Sequence, residues 1–271
     1  MKHTPTKKDS HTAEIAAGLF AALIGLTLFL ALRFDFDSDI GHFTKNSPFF
    51  LCFAFLIGAS VLSGVCFALI AKQKNAASPT PLSEGVSACI APCAAALSAL
   101  LLFIMNLSAL SRPSVTTLGA ILLLPGISAF YILGILPSFR GGKLHAAAGI
   151  LGTLSVNCLI FNSYFDFTLP LNSPIRNALI VMEAAYLLSL LFTTGSILGK
   201  TSAPMCHFVK LIGIALSGGI AFGLLLAAAF APQNVPVGVS VLRCVLCLFS
   251  AAALYFQPFT YPNSNAPSQN A

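Results

Sequence analysis

Long apolar runs alternate with short polar segments along almost the whole chain. Each run is about 20–25 residues long, and the eight runs lie at about 14–33, 49–71, 85–109, 115–136, 145–164, 176–198, 208–230 and 238–257. A helix that crosses the hydrocarbon core of a bilayer needs about 20 mostly apolar residues. Strands of a membrane barrel would instead be about ten residues long, with apolar and polar positions alternating. The pattern therefore predicts an all-α, polytopic membrane protein with about eight transmembrane helices.

Composition leads to the same class of protein and excludes others. The 271 residues are 57% hydrophobic and only 8% charged, whereas soluble domains carry about 25% charged residues. The net charge of +6 comes without a basic stripe or basic residues interleaved with aromatic ones, so we expect no nucleic-acid partner. The partner predicted for this surface is the lipid bilayer.

The positions of lysine and arginine predict the orientation. If the N-terminus is inside, nine of these residues lie in inner segments and four in outer ones. The inner set is Lys2, Lys7, Lys8, Lys72, Lys74, Arg140, Lys143, Lys200 and Lys210, and the outer set is Arg33, Lys45, Arg112 and Arg176. By the positive-inside rule we expect a cell-membrane protein with both termini in the cytoplasm. The first apolar stretch, from Ile15 to Leu32, is longer than the core of a signal peptide, so we interpret it as a retained span.

Two stretches of the chain resemble each other. The run from Ile15 to Phe36 aligns without gaps on the run from Ala146 to Phe167, at an offset of 131 residues. Both copies end in Phe-Asp-Phe, and Asn-Ser-Pro follows at 46–48 and at 172–174. Helices one to four and helices five to eight are therefore predicted to be tandem repeats with the same orientation, as in parallel transporter repeats. The alternative is chance matching among Ala, Leu and Phe.

The repeat divides the chain into five parts. The predicted parts are a cytoplasmic N-terminal tail at 1–13, a first four-helix half at 14–136, a cytoplasmic linker at 137–144, a second half at 145–257 and a disordered C-terminal tail at 258–271.

The repeated motifs each allow a structural and a functional interpretation. Ser47 and Ser173 suit helix N-caps, and the proline after each suits a first helical turn. Asp35 and Asp166, in the two Phe-Asp-Phe motifs, either lie in water beside aromatic interface anchors or form a symmetric outer site for a cation or substrate. We favour the anchor interpretation.

Charged residues inside a span are rare and mark function by default. Glu183 lies about 10 Å deep in the sixth predicted helix and Arg243 about 8 Å deep in the eighth, at 1.5 Å per residue. Asn157 and Asn162 of the fifth helix are in the same half of the membrane or near its middle. We predict a polar binding cluster centred on Glu183 that holds a cation or polar substrate or carries a proton. The alternative is a structural ion pair, with Arg243 extending to the surface.

Known catalytic patterns are missing from the sequence. It contains neither a Gly-rich phosphate loop nor HExxH nor GxSxG, so we expect no metal, no cofactor and no catalytic residues. Cys244 and Cys247 have a redox or metal spacing, but in an apolar helix we interpret them as small buried residues. Two functions stay open, a transporter or permease-like protein for a small solute or ion, and a non-catalytic accessory or partner-binding membrane component. A membrane enzyme is disfavoured.

Overall fold

The computed structural model describes residues 7–37, 40–44, 46–73, 87–107, 114–165, 173–234 and 239–256. Nine α-helices in this part of the chain are α1 (Lys7–Leu30), α2 (Pro48–Gln73), α3 (Ser87–Leu107), α4 (Val115–Ile135), α5 (Lys143–Tyr164), α6 (Pro174–Ile197), α7 (Ala203–Ile212), α8 (Gly219–Phe230) and α9 (Val239–Phe256). A π-helical turn, Ala31–Asp35, extends α1, and a short antiparallel hairpin follows it, with β1 (Phe36–Asp37) paired to β2 (His42–Phe43).

α7 and α8 together form one continuous helical rod. A π-helical segment, Gly213–Gly218, joins α7 to α8 without leaving the right-handed helical region at either end. Pro92 and Pro125 likewise lie inside α3 and α4. These glycines and prolines thus alter the helices locally without ending them. The α7–α8 rod counts as one candidate membrane span.

Seven helical segments are long and apolar enough to cross a membrane. They are Ala13–Asp35, Pro48–Ile70, Cys89–Leu107, Val115–Ile135, Lys143–Tyr164, Pro174–Ile197 and Phe208–Phe230. The apolar part of α9, Ser240–Phe256, is shorter; the 18 residues of α9 span about 27 Å, slightly less than the ~30 Å hydrocarbon core. The chain is an all-α, multi-pass membrane protein, and eight as the number of spans stays a prediction.

The bundle is built around the α7–α8 rod. In the most apolar 18-residue stretch of Phe208–Phe230, 78% of the residues are buried, against 17% in the corresponding stretch of α2. α1 packs closely on α8 because both present glycine at the contact: a Cβ on Gly25 would lie 2.7 Å from the carbonyl oxygen of Gly219, and one on Gly223 would lie 2.6 Å from that of Gly25. Small residues at such crossings let two membrane helices approach closely.

The helices begin and end at two opposite faces of the bundle. The face with the β1–β2 hairpin, the ends of α5 and α8 and the starts of α2 and α6 is called the hairpin face below. The other face carries the start of α5 and the α7 region around Lys210. In the predicted orientation the hairpin face is outside.

The contacts between helices agree only partly with a four-plus-four repeat. α1 packs on α2 as α5 packs on α6, and α3 packs on α4 as α8 packs on α9. Between the halves the arrangement differs, because α4 packs extensively on α5 whereas α1 and α9 both line a cavity of about 320 Å³. The repeat therefore stays a prediction.

Two charges counted as loop residues lie elsewhere. Arg176 was assigned to an outer segment and Lys210 to an inner one, but they lie in α6 and α7 and are 1% and 4% exposed. Each follows a proline at one of the first two positions of its helix, so the helix begins earlier than the apolar run alone indicates. Leaving both out of the topology count gives eight inner and three outer charges, and the predicted orientation is unchanged.

Candidate functional site

Three helices bring a carboxylate, a hydroxyl and a guanidinium together inside the bundle. The hydroxyl of Ser163 on α5 donates to Oε2 of Glu183 on α6 at 2.9 Å. Nη1 of Arg243 on α9 donates to Oγ of Ser163 at 2.7 Å and lies 3.4 Å from Oε1 of Glu183. Serine therefore lies between the two charges, and the direct ion pair is long.

The local sequence explains how these groups reach the same depth. Ser173 is the N-cap residue of α6 and Pro174 begins the helix, so Glu183 lies nine residues, or roughly 13 Å, beyond Pro174. Ser163 is next to the last residue of α5, and Arg243 is in the first turns of α9. All three thus lie toward the hairpin face of the bundle.

Burial makes the two charges of this cluster costly in free energy unless they are compensated. The side chain of Glu183 is 2% exposed and that of Arg243 is 12% exposed. Nε of Arg243 is buried and makes no hydrogen bond among the described residues, although a guanidinium carries five N–H donors. A buried charge is tolerated only when it is paired and hydrogen-bonded. Glu183 has both kinds of partner, whereas Arg243 keeps unused donor capacity.

A line of polar side chains continues from the cluster into the bundle. One turn after Glu183, the hydroxyl of Tyr186 lies 3.3 Å from that of Tyr131 on α4. Ser250, on the same face of α9 as Arg243, lies beside both tyrosines. Hydrogen-bonding groups of α4, α6 and α9 therefore extend from the cluster toward the opposite face.

The two predicted asparagines are not part of the cluster. Asn162 is half-buried and its Oδ1 accepts from the hydroxyl of Thr117 at 3.5 Å. Asn157 is exposed on the surface of α5. The structure thus brings Glu183 and Arg243 together and leaves both asparagines apart from them.

Asp35 takes part in the junction between α1 and α2. Its Oδ2 accepts from the hydroxyl of Ser47 at 2.5 Å and from the backbone N–H of Phe49 at 3.4 Å. Ser47 in turn accepts from the backbone N–H of Phe50 at 3.1 Å, as an N-cap does. Asp35 therefore holds the start of α2, and its counterpart Asp166 lies outside the described residues.

A second buried ion pair was missed by sequence reasoning. Nζ of Lys210 on α7 lies 2.6 Å from Oε1 of Glu14 on α1, with side chains 5% and 9% exposed. Glu14 is the first residue of the first predicted apolar run, and Lys210 lies near the start of the seventh. Lys210 was predicted to lie in an inner segment, and no partner was predicted for either residue. The sequence indicated this pair only by placing one acidic and one basic residue, Glu14 and Lys210, at the ends of different apolar runs.

The described residues contain no group of three or more His, Cys, Asp or Glu that could hold a metal ion. Cys244 and Cys247 are buried in α9 as thiols. Chemically, the Glu183 cluster can exchange a proton or accept a cation or a polar group.

Neither family models nor curated proteins nor solved structures match the chain. Its function has to be inferred from its own residues.

Proposed function

We propose that the protein is a permease-like carrier for a small solute or ion in the cell membrane, and that Glu183 is its exchangeable charge. The observation that supports this most strongly is the burial of Glu183, at 2% exposure, among Ser163 and Arg243 inside a membrane bundle. Ionisable groups in such positions are costly, and they commonly serve ion pathways and proton relays.

The geometry of the cluster suits a carboxylate that changes state. When Glu183 is ionised, it accepts from Ser163 and faces Arg243. When a proton or cation reaches Glu183 from water, Arg243 can keep its 2.7 Å hydrogen bond to Ser163. A serine hydroxyl is both donor and acceptor, so Ser163 can turn with the change. Arg243 and Ser163 therefore keep a hydrogen bond in both states, and the proton or cation returns to water when it leaves Glu183.

The surroundings of the cluster support movement across the bundle. Tyr186, Tyr131 and Ser250 continue the polar line away from Glu183. The π-helical segment Gly213–Gly218 packs on both α6 and α9, and such segments are frequent at functional sites. We infer that α6 and α9 change their packing on this segment during transport.

The proposal is tested by solute accumulation in vesicles. Purified protein is reconstituted into liposomes with an imposed pH gradient and incubated with an isotope-labelled extract of small metabolites. Mass spectrometry of the vesicle contents measures uptake. We expect at least one compound to accumulate several-fold above protein-free vesicles, and Glu183→Gln to reduce that accumulation about ten-fold or more.

Two results would contradict parts of this account. If no compound accumulates above the level in protein-free vesicles, the protein is not such a carrier. If Glu183→Gln accumulates the same compound as fast as the unaltered protein at equal amounts of folded protein, Glu183 is not the exchangeable charge.

A second function, an accessory component that binds a membrane partner, is favoured by the surface of α2. Large side chains lie along one exposed stripe of this helix, with Leu51 60%, Phe55 75%, Leu62 65% and Leu69 56% exposed. A Cβ added at Gly58, in the same stripe, would meet nothing within 4 Å. Cross-linking from the cysteine of Phe55→Cys in membranes distinguishes the two functions. An accessory component should give one defined protein adduct, whereas a carrier that acts alone should give adducts with lipid only.

A further inference from the structure

A cavity lies on the side of α6 opposite to Glu183. It has a volume of about 650 Å³ and is bounded by α1, β2, α2, α6 and α8. Its inner walls are apolar and include Leu28, Phe53, Ile57, Ala178, Val181 and Ile220. We name this space the hairpin cleft. Pockets for small organic ligands commonly measure about 300–1,000 Å³ and are mostly apolar with a few polar groups, so the volume and the walls of the cleft suit such a ligand.

Among the described residues, the mouth of the hairpin cleft is polar and almost without charge. His42, Thr44, Asn46, Ser47 and Asn177 line it, and of the described lining residues His42 is the only one that can ionise. The amides and hydroxyls at the mouth can donate and accept hydrogen bonds.

The carboxylates described near this mouth are already engaged. Asp37 lies opposite His42 in the hairpin and accepts from the backbone N–H of Ile40. Asp35 accepts hydrogen bonds from Ser47 and from the backbone of Phe49. The mouth therefore favours a polar head group without charge, because a buried ion needs an opposite charge beside it.

The cleft also opens toward the bilayer. α2 packs on α1 and α7, and α6 packs on α5 and α7, and the cleft lies between α2 and α6 at their hairpin-face ends. Side chains of both helices at this opening are partly exposed, with Phe50 at 37%, Leu51 at 60% and Val181 at 38%. A molecule dissolved in the membrane can therefore reach the apolar walls from the side.

We propose that the hairpin cleft binds a neutral amphipathic small molecule taken from the bilayer. Its apolar body lies against Phe53, Ile57 and Val181, and its uncharged polar head is hydrogen-bonded at Asn46 and Asn177. This inference rests on the proposed carrier function and names its class of substrate. α6 links the two sites, since Val181 faces the cleft and Glu183, two residues later, faces the charge cluster.

Binding can be measured without any transport assay. The chain contains no tryptophan, so Phe50→Trp places a single fluorophore at the cleft, where Phe50 stacks on Phe43 with ring centroids 4.7 Å apart. Phe55→Trp is the matched control, because Phe55 lies on the same helix and is 75% exposed away from the cleft lining. The probe is a monoacylglycerol with a brominated chain, which quenches tryptophan on contact, titrated into vesicles of ordinary phosphatidylcholine.

We expect saturable quenching of Phe50→Trp at low mole fractions of the probe and only a gradual, linear quenching of Phe55→Trp. Adding Val181→Phe, which fills the cleft, should abolish the saturable part, whereas Leu188→Phe, two turns further along the exposed side of α6, should leave it. The corresponding brominated fatty acid anion should bind on the order of ten-fold more weakly, because the described lining of the cleft contains no lysine or arginine to pair with its charge.

Equal and linear quenching of the two tryptophans would overturn the site. Equal affinity for the anion would overturn the neutral class of ligand. The titration is repeated in Glu183→Gln, where the cleft should bind as before even if accumulation in vesicles fails, so the failure of this inference is distinguishable from the failure of the proposed function.

Discussion

The described part of the chain contains two buried ion pairs that are built differently. Glu14 and Lys210 make direct contact at 2.6 Å, and the neighbouring cluster of Ala17, Leu211 and Ile214 is apolar. Glu183 and Arg243 lie 3.4 Å apart, with Ser163 hydrogen-bonded to both.

The difference indicates two roles. A short, direct pair between two helices, with apolar side chains described beside it, holds α1 against α7. A pair separated by a hydroxyl keeps a hydrogen bond on each side when one charge disappears. We therefore interpret the Glu14–Lys210 pair as structural and the Glu183 cluster as functional.

The largest effect is expected at the direct pair. Lys210→Met removes the charge that faces the buried carboxylate of Glu14, and breaking a buried pair from one side costs about 3–5 kcal/mol. Denaturant unfolding in detergent should show this loss, and the double variant Glu14→Gln, Lys210→Met should recover most of it. A single variant as stable as the unaltered protein would contradict the structural role.

Glu183→Gln should separate activity from stability. Glutamine keeps the shape and a carbonyl acceptor for Ser163, and Arg243 is 12% exposed and keeps its hydrogen bond to Ser163. We therefore expect a smaller stability loss than the about 3–5 kcal/mol of a fully broken buried pair. Accumulation should nevertheless fall about ten-fold or more, equivalent to about 1.4 kcal/mol or more. If Glu183→Gln lost as much stability as Lys210→Met while uptake per folded molecule stayed unchanged, both ion pairs would be structural and the functional role of Glu183 would be contradicted.

Ser163→Ala tests the bridging hydroxyl. Without it, Arg243 and Glu183 keep only their 3.4 Å contact, so one state of the cluster loses its partner. We expect uptake to fall roughly three- to ten-fold, or about 0.6–1.4 kcal/mol. Threonine at the same position retains the hydroxyl and serves as the control, and equal uptake by the alanine and threonine variants would exclude a bridging role.

The smallest effect is expected at Tyr186→Phe. The hydroxyl removed is 3.3 Å from that of Tyr131, and interhelical hydrogen bonds in membranes average about 0.6 kcal/mol. Stability should change by about this amount and uptake by roughly two-fold. A ten-fold loss of uptake would mean that the polar line beyond Glu183 is as important as the charge cluster.

Membrane class and helix positions were predictable because they depend on local composition. The length of an apolar run has to match the bilayer, and each run carries that information by itself. The closeness of Glu183 and Arg243 was also accessible, since the helical rise places both at a similar depth.

Features that depend on helix arrangement were not predictable in this way. Glu14 and Lys210 are 196 residues apart, and each lies at the end of an apolar run, where charge is expected in water. Ser163 gave no signal, because serine is common near the ends of membrane helices. The hairpin cleft depends on the space between α2 and α6, which no single segment specifies.

The contrast between the two ion pairs is tested most directly by one parallel uptake measurement. Vesicles containing equal amounts of folded unaltered protein, Glu183→Gln and Glu14→Gln, Lys210→Met are compared for accumulation of the same solute under the same pH gradient. We expect the double variant to accumulate at a rate close to that of the unaltered protein, and Glu183→Gln to be about ten-fold or more slower. Equal rates for all three, or a greater loss in the double variant than in Glu183→Gln, would contradict the assignment of Glu183 as the exchangeable charge.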